Sequence, residues 1–156
     1  MKKIIVLLCA LAIAFAAGAQ SKKFYDETID PLQQIDQAVK RAKADDKYVI
    51  CQVGGNWCRW CIMFGNYIEK DAEIASVISE NFEYIHVNWP RKDAPEALKN
   101  RLDNAGRFGF PVFVVMDGDG EIIHIQDSSY LEEGEGYNKQ KVLRFLNNWT
   151  PGSVGK

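Results

Sequence analysis

GGNWCRWC, residues 54–61, is the stretch of this sequence that decides the fold. Two cysteines, Cys58 and Cys61, stand three positions apart within it. The preceding run over residues 48–53 is rich in β-branched residues and suits a central strand that is covered on both faces. Residues 54–56 then form a turn, and apolar residues recur at helical spacing from Cys58 onward. The pattern predicts a strand, a turn and a helix whose first turn carries both sulfurs.

Two cysteines at this spacing have four common chemical roles. Tetrahedral zinc needs further ligands, and the two histidines of the chain, His86 and His124, lie singly in predicted strands, so we predict no metal site. Covalent haem attachment needs a histidine directly after the second cysteine, where this chain has Ile62. A permanent clip closing so short a loop would stabilise the fold little. The pattern favours a reactive dithiol, which needs no cofactor.

The predicted position of the dithiol has a physical consequence. Unpaired N–H groups and the helix dipole favour an anion at a helix N-terminus, so the Cys58 thiolate should be stabilised there, with Arg59 adding a nearby positive charge. Cys61 falls one turn further along the same face, with its Cα about 5–6 Å from that of Cys58, which permits a disulfide. This arrangement suits attack by one thiol on an outside disulfide and release by the other.

The first 19 residues differ from the rest of the chain. Two lysines precede an unbroken apolar run over residues 4–15, and small residues follow at 17–19. The combination is typical of a secretory signal peptide cleaved near Ala19, and the run is shorter than the ~20 residues of a membrane-spanning helix. The alternative is a buried first helix of the domain. We predict a signal peptide over residues 1–19 and a periplasmic or secreted mature protein.

The remaining residues, 20–156, are predicted to form one domain. Apolar residues make up 47% of the full sequence and charged residues 26%, which is typical of a globular chain. The formal net charge of −2 and the lack of a Lys/Arg-rich run argue against nucleic acid as a partner. The predicted strands cover residues 48–53, 82–87, 112–116 and 121–126. Helical patterns separate the early strands, and a tight turn joins the last two, so we predict an α/β fold with a mixed four-stranded sheet and helices on both faces.

Two segments of this pattern resemble the thioredoxin family, and the match covers most of the mature chain. One is Trp57-Cys58-Arg59-Trp60-Cys61 after the first strand, and the other is Gly109-Phe110-Pro111 before the third. The resemblance implies a thioredoxin-like fold in which a cis proline, Pro111, packs against the dithiol. It also implies that the backbone at Phe110 pairs with an extended substrate segment. The whole sequence is most similar to exported members of the disulfide reductase or isomerase type.

The resemblance also implies a substrate-binding surface around the dithiol, formed by Trp57, Arg59, Trp60, Phe110 and Pro111.

Three features depart from the family pattern. Arg59 and Trp60 replace the Gly-Pro pair that cytosolic thioredoxins carry between their cysteines. Gln52 stands where the family often has a buried acid that relays a proton to the second cysteine, and an amide cannot titrate. The segment between Cys61 and Pro111 is also longer than in minimal thioredoxins.

These observations predict a thiol–disulfide oxidoreductase in which Cys58 attacks and Cys61 resolves. Its partners would be protein thiols and disulfides, with a membrane-bound protein as a redox partner, and the protein would be a monomer. The alternative is a thioredoxin-like binding module, either a chaperone or a soft-metal delivery protein, that uses the same two thiols as ligands. The third cysteine of the mature chain, Cys51, lies in the middle of a predicted strand and is interpreted as a small buried apolar residue, with a third redox thiol as the alternative.

Overall fold

The computed structural model describes residues 22–155, so the predicted signal peptide lies outside the described residues. Within that range, no helix has the length and apolar character needed to cross a membrane. The helices and strands follow in this order: α1 Pro31–Ala44, β1 Tyr48–Gly54, α2 Arg59–Lys70, α3 Ala72–Asn81, β2 Phe82–Asn88, α4 Glu96–Arg101, β3 Val112–Met116, β4 Ile122–Asp127, β5 Glu132–Glu133, β6 Gly136–Tyr137, α5 Lys139–Asn148 and α6 Pro151–Val154. Short 3₁₀ turns cover Ala105–Phe108 and Ser128–Leu131.

The main sheet has four strands in the order β2-β1-β3-β4. β1 runs parallel to β2 and antiparallel to β3, and β3 is antiparallel to β4. The parallel pair is joined through α2 and α3, because a chain needs a crossover to return in the same direction. The antiparallel pair β3–β4 is joined by the tight turn predicted at residues 117–120. The predicted mixed four-stranded sheet is therefore confirmed.

Helices cover both faces of this sheet. β1 and β3 are buried along their whole length, as the apolar runs of their sequences predict. One face packs against α1 and α4 through the following core residues: Ile35, Ala38, Val49, Cys51, Val53, Leu98 and Val114. The other face packs against α2, α3 and α5 through a second set: Ile50, Phe64, Ile68, Ile74, Phe113, Val142 and Phe145. Alternation along β1 thus sends Cys51 and Gln52 to opposite faces.

Side-chain caps begin the helices that set this arrangement. The Asp30 carboxylate accepts hydrogen bonds from two N–H groups in the first turn of α1, and Pro31 occupies the first helical position. Asp71 caps α3 and Asn138 caps α5 in the same way. These caps fix the residues at which α1, α3 and α5 begin.

Composition predicts a loose lead-in over residues 21–29 and an acidic loop over residues 127–136, but the described parts of both segments are ordered. The acidic segment over residues 127–136 forms a 3₁₀ turn and the small hairpin β5–β6, and Tyr137 of that hairpin packs edge-on against Phe64 with ring centroids 4.8 Å apart. The lead-in over residues 22–29 packs on the domain, and Tyr25 within it is only 3% exposed. Both differences come from aromatic residues that are buried by tertiary contacts, which local composition does not reveal.

Candidate active site

Both sulfurs of the cysteine pair lie where β1 gives way to α2. Cys58 is the N-cap residue of α2, and its Sγ accepts a hydrogen bond from the backbone N–H of Cys61 at 3.2 Å. The two residues form a disulfide with a Cα–Cα distance of 5.2 Å, within the range predicted from their spacing. Because the first N–H groups and the positive end of the helix dipole point toward Cys58 Sγ, this position favours a thiolate when the disulfide is reduced.

The two cysteines differ in their access to solvent. Cys58 is 8% exposed, whereas Cys61 is completely buried. Of the two cysteines, only Cys58 therefore keeps any surface in contact with solvent. The geometry separates an outer sulfur from an inner one, as an attacking and a resolving thiol require.

The segment before β3 meets the dithiol from the other side. The Phe110–Pro111 peptide bond is cis, as the resemblance implies, and Pro111 is buried. The carbonyl oxygen of Phe110 lies 3.7 Å from Cys58 Sγ. Two residues that are 52 positions apart in sequence are thus in contact at the outer sulfur.

Aromatic side chains border the outer sulfur. Trp57 is 40% exposed, and its ring packs edge-on against that of Phe110 with centroids 5.4 Å apart. The indole N–H of Trp57 donates a hydrogen bond to the carbonyl oxygen of Trp89 at 3.2 Å, and the guanidinium of Arg91 lies 5.9 Å from the Trp57 ring centroid. The sequence did not predict that Trp89 and Arg91 lie at this site, because they belong to a segment of mixed polarity. The Trp89-Pro90 pair is the one feature of that segment that could have indicated it.

The two residues between the cysteines have different surroundings. Arg59 is exposed at the start of α2. Trp60 is half-buried, because its ring packs edge-on against Tyr137 at 5.5 Å and its carbonyl oxygen accepts the Tyr137 hydroxyl at 3.2 Å. Arg59 is thus the more accessible of the two to a partner.

The family of this chain is shown by comparison with known proteins. The model of the Thioredox_DsbH family, described as a protein of unknown function, DUF255, matches residues 16–150. The chain belongs to the Thioredox_DsbH family. No curated protein matches the chain.

Three solved structures are similar to this Thioredox_DsbH protein to different degrees. A disulphide isomerase from Xylella fastidiosa Temecula1 superposes with a TM-score of 0.70 and 22% identity, covering 80% of this chain and 94% of the other. A structure titled DsbH Oxidoreductase has a TM-score of 0.49 and 21% identity, covering 72% of this chain and 78% of the other. A thioredoxin-fold protein from Helicobacter pylori has a TM-score of 0.40 and 15% identity, covering 77% and 99%. The first of these structures confirms the predicted thioredoxin-like fold.

A buried polar network lies beneath the dithiol of the Thioredox_DsbH chain, centred on Gln52. The Gln52 amide nitrogen donates to the Tyr25 hydroxyl at 2.7 Å and to the Cys61 carbonyl oxygen at 3.0 Å. The Gln52 amide oxygen accepts the Tyr84 hydroxyl at 2.6 Å. Gln52 is completely buried, so these hydrogen bonds replace the water that its amide gives up on folding.

Tyr25 enters this network because Asn56 holds the N-terminal segment in place. The Asn56 side-chain oxygen accepts the backbone N–H groups of Phe24 and Tyr25 at 3.1 and 3.2 Å, and its nitrogen donates to the Tyr25 carbonyl oxygen at 2.8 Å. The ring of Phe24 packs closely over Gly65 of α2. The sequence did not predict that Tyr25 belongs to this network. The one feature that could have indicated its burial is the aromatic pair Phe24-Tyr25 in an otherwise polar stretch.

Cys51 lies on the far side of the sheet from Gln52. It is completely buried among apolar residues of the α1 face and is the free cysteine of the described residues. Burial raises the pKa of the Cys51 thiol to about 12. These surroundings support the interpretation of Cys51 as a small apolar core residue.

The described part of the chain offers few groups that could hold a metal. Between residues 22 and 155, no cluster of three or more His, Cys, Asp or Glu side chains has the geometry for an ion. His86 lies among aromatic rings, and His124 stacks on Trp149 with centroids 4.2 Å apart.

His86 should make stability depend on pH. Its ring packs against Phe24, Tyr25 and Tyr84, its Nε2 has no hydrogen-bond partner, and burial lowers its pKa from 6.5 to about 4. Because the unfolded chain then binds a proton at higher pH than the native one, this stabilisation is complete above pH 6.5 and is lost as pH falls from 6.5 to 4.

We expect His86→Phe to reduce the loss of unfolding free energy between about pH 7 and pH 4.5 by roughly 2 kcal/mol relative to wild type. Urea denaturation at both pH values measures the effect. His124→Phe is the control, since it removes the other histidine and leaves the rings around His86 in place. Identical pH dependence in wild type and His86→Phe would contradict the prediction.

Proposed function

We propose that this protein is a thiol–disulfide oxidoreductase, acting as a reductase or isomerase on exported proteins, with Cys58 as the attacking thiol and Cys61 as the resolving thiol. The observation that carries the proposal is the asymmetric pair: an outer sulfur at the N-terminus of α2, bonded to a fully buried sulfur one turn further in. A clip made only for stability would not need one accessible sulfur at the anion-favouring end of a helix.

The reaction follows from this asymmetry. In the reduced protein, the Cys58 thiolate attacks a substrate disulfide, the substrate S–S bond breaks, and one substrate sulfur leaves and takes up a proton. Cys61 then attacks Cys58 Sγ in the mixed disulfide and releases the second substrate thiol. Two electrons pass to the substrate, and the Cys58–Cys61 disulfide forms. A separate electron donor must reduce that disulfide before the next turnover.

The substrate-binding surface proposed for this reaction surrounds the outer sulfur. An extended peptide would pair with the backbone at Phe110, beside Pro111, as an added strand. Trp57 would cover the apolar part of the peptide, and Arg59 and Trp60 would contact it at the start of α2. The contact between the Phe110 carbonyl oxygen and Cys58 Sγ supports this position, because a peptide bonded there lies next to the attacking atom.

The cellular setting of the proposal rests on the first 19 residues and on membership of the Thioredox_DsbH family. The predicted signal peptide would carry the protein to the periplasm or outside the cell, where disulfides form and persist. A reductase or isomerase there needs electrons from outside the chain, so we propose a membrane-bound redox partner and a monomeric enzyme that uses protein thiols and disulfides as substrates.

Reduction of insulin disulfides by the purified mature chain tests the proposal. Wild type should accelerate the reaction with dithiothreitol as electron donor, and Cys58→Ser should fall to the uncatalysed rate, because no other described thiol is accessible. Cys51→Ala is the matched control and should retain turnover, since its side chain lies on the opposite face of the sheet. Undiminished turnover by Cys58→Ser would refute the assignment.

The rival function is a binding module that holds a partner or a soft metal with the same two thiols. The 5.2 Å separation of the Cα atoms would also suit two sulfur ligands of one soft ion. This rival predicts tight Cu(I) binding by the reduced protein and no acceleration of insulin reduction. An acidic Cys58 thiol, seen as rapid alkylation near neutral pH, is required only by the oxidoreductase.

A further inference from the structure

The hydroxyl of Tyr25 and the sulfur of Cys61 border the same narrow space above Gly54. A Cβ atom built on Gly54 would lie 2.4 Å from Cys61 Sγ and 2.9 Å from the Tyr25 hydroxyl oxygen. Tyr25, Cys58 and Cys61 also pack together in one buried cluster. A residue with no side chain is therefore needed at position 54 for the phenol and the inner sulfur to approach each other.

The hydrogen bonds of Gln52 determine which way the Tyr25 hydroxyl is oriented. The carbonyl oxygen of Cys61 can only accept, so the amide nitrogen of Gln52 must face it. The same nitrogen donates to the oxygen of Tyr25 at 2.7 Å. Tyr25 therefore acts as an acceptor toward Gln52, and its own proton is directed away from the amide.

We propose that the Tyr25 hydroxyl donates a hydrogen bond to the Cys61 thiolate when the disulfide opens, and that it assists Cys61 by stabilising this anion, in a chain where Gln52 cannot relay a proton as the family's buried acid does. This inference rests on the proposed oxidoreductase function and assigns a third side chain to its resolving step. The donating residue, Tyr25, belongs to the N-terminal segment that Asn56 holds in place, whereas Gln52 lies on β1.

The chemistry of this role is stabilisation of an anion without transfer of the phenolic proton. In the mixed disulfide, Cys61 loses its thiol proton, attacks Cys58 Sγ and forms the S–S bond, while the bond from Cys58 to the substrate sulfur breaks. The released substrate thiolate takes up one proton, so the net change is one thiol consumed and one thiol formed. A charge-assisted O–H···S⁻ hydrogen bond favours the attacking form of Cys61.

Tyr25 is suited to donate and not to act as a base. Burial raises its pKa, so it stays neutral and keeps its proton throughout the physiological range. Besides Tyr25, the titratable groups that contact this part of the chain include Cys58 at the N-cap of α2, Tyr84 on β2, which bonds to Gln52, His86 on β2, which packs against Tyr25, and Tyr137 on β6, which bonds to the Trp60 carbonyl oxygen. Burial lowers the pKa of His86 to about 4 and raises that of Tyr84, so both are neutral near pH 7.

The test measures the ionisation of Cys61 directly. In a Cys58→Ala background labelled with ¹³Cβ-cysteine, the titration of the Cys61 signal with pH gives the pKa of that thiol alone. We expect Tyr25→Phe to raise the Cys61 pKa by about one unit or more, the effect of removing one charge-assisted hydrogen bond. The same variant, with Cys58 intact, should resolve its mixed disulfide with a pH profile shifted upward to match.

Tyr84→Phe is the matched control. It removes a phenolic donor from the same Gln52 amide but does not border Cys61 Sγ, so it should leave the Cys61 titration in place. If Tyr25→Phe fails to fold, replacement of Tyr25 by 3-fluorotyrosine keeps the donor and strengthens it, and should lower the Cys61 pKa.

The result that would overturn the inference is an unchanged Cys61 titration in folded Tyr25→Phe, or an unchanged or raised pKa with 3-fluorotyrosine. Failure of the proposed function would be seen in a different experiment, because the wild type itself would then not accelerate the reduction of insulin disulfides. A shift of equal size in Tyr84→Phe would also count against Tyr25, since it would show a general effect of loosening the network.

Discussion

Cys61→Ser should convert the protein into a trap that stays covalently bound to its substrate through Cys58. The outer thiol can still attack a substrate disulfide, but no inner thiol remains to release it. Because a thiol held in place acts at a very high effective concentration, we expect release of the mixed disulfide to slow by at least about 100-fold. Incubation with an unfolded disulfide-bonded protein, followed by non-reducing electrophoresis and mass spectrometry, measures the adduct.

Two further variants make the result specific. Cys58→Ser should form no adduct, because Cys61 is completely buried and cannot meet the substrate. Cys61→Ser combined with Cys51→Ala should trap as much substrate as Cys61→Ser alone. An adduct that maps to Cys61 in Cys58→Ser would reverse the proposed order of the two thiols, and one that maps to Cys51 would contradict its interpretation as an unreactive core residue. Dithiothreitol should release the substrate in every case where the bond is a disulfide.

Gln52→Leu should destabilise the protein more than any exchange of similar size on the surface. Leucine nearly fills the volume of the glutamine but leaves the hydroxyls of Tyr25 and Tyr84 without their Gln52 partner. Each buried polar group left unpaired costs about 1–3 kcal/mol, so we expect a loss of roughly 3 kcal/mol in the free energy of unfolding. Urea denaturation of the oxidised protein measures it.

Gln126→Leu provides the matched control for this change. Gln126 is a half-buried glutamine on β4, where its side chain bonds to the adjacent Asp127 carbonyl oxygen and to His124. Water can replace those partners, so we expect a loss below about 1 kcal/mol. Equal stability of Gln52→Leu and wild type would show that the network beneath the dithiol contributes nothing to folding.

The positions of Cys58, Cys61 and Pro111 could largely be predicted from the sequence. Cys58 and Cys61 are close because three residues make almost one helical turn. The short turn after β1 places the start of that helix next to the C-terminal end of this central strand. The cis bond before Pro111 followed from resemblance to the thioredoxin family, since a proline before a strand is by itself most often trans. The role of each residue in catalysis stays a proposal.

The inner part of the site was not readable in the same way. Tyr25 lies 27 positions before Gln52, in a stretch whose composition predicts a loose lead-in. Its burial depends on hydrogen bonds from Asn56 to the backbone of that stretch and on the absence of a side chain at Gly54. Neither contact leaves a periodic pattern in sequence, because each joins a loop to a distant turn.

The amino-acid sequence by itself determined the order of the main-sheet strands and the helices between them, the mixed sheet and the placement of a cysteine pair at a helix start. These features depend on residue periodicity, turn chemistry and spacing within one segment, which act over a few positions of the chain. Only the tertiary structure decided that Phe110 meets Cys58, that Cys51 lies on the other face from the dithiol, and that Tyr25 packs in one cluster with the two cysteines. Those relations depend on which distant segments pack together, and packing is settled by the burial of all of them at once.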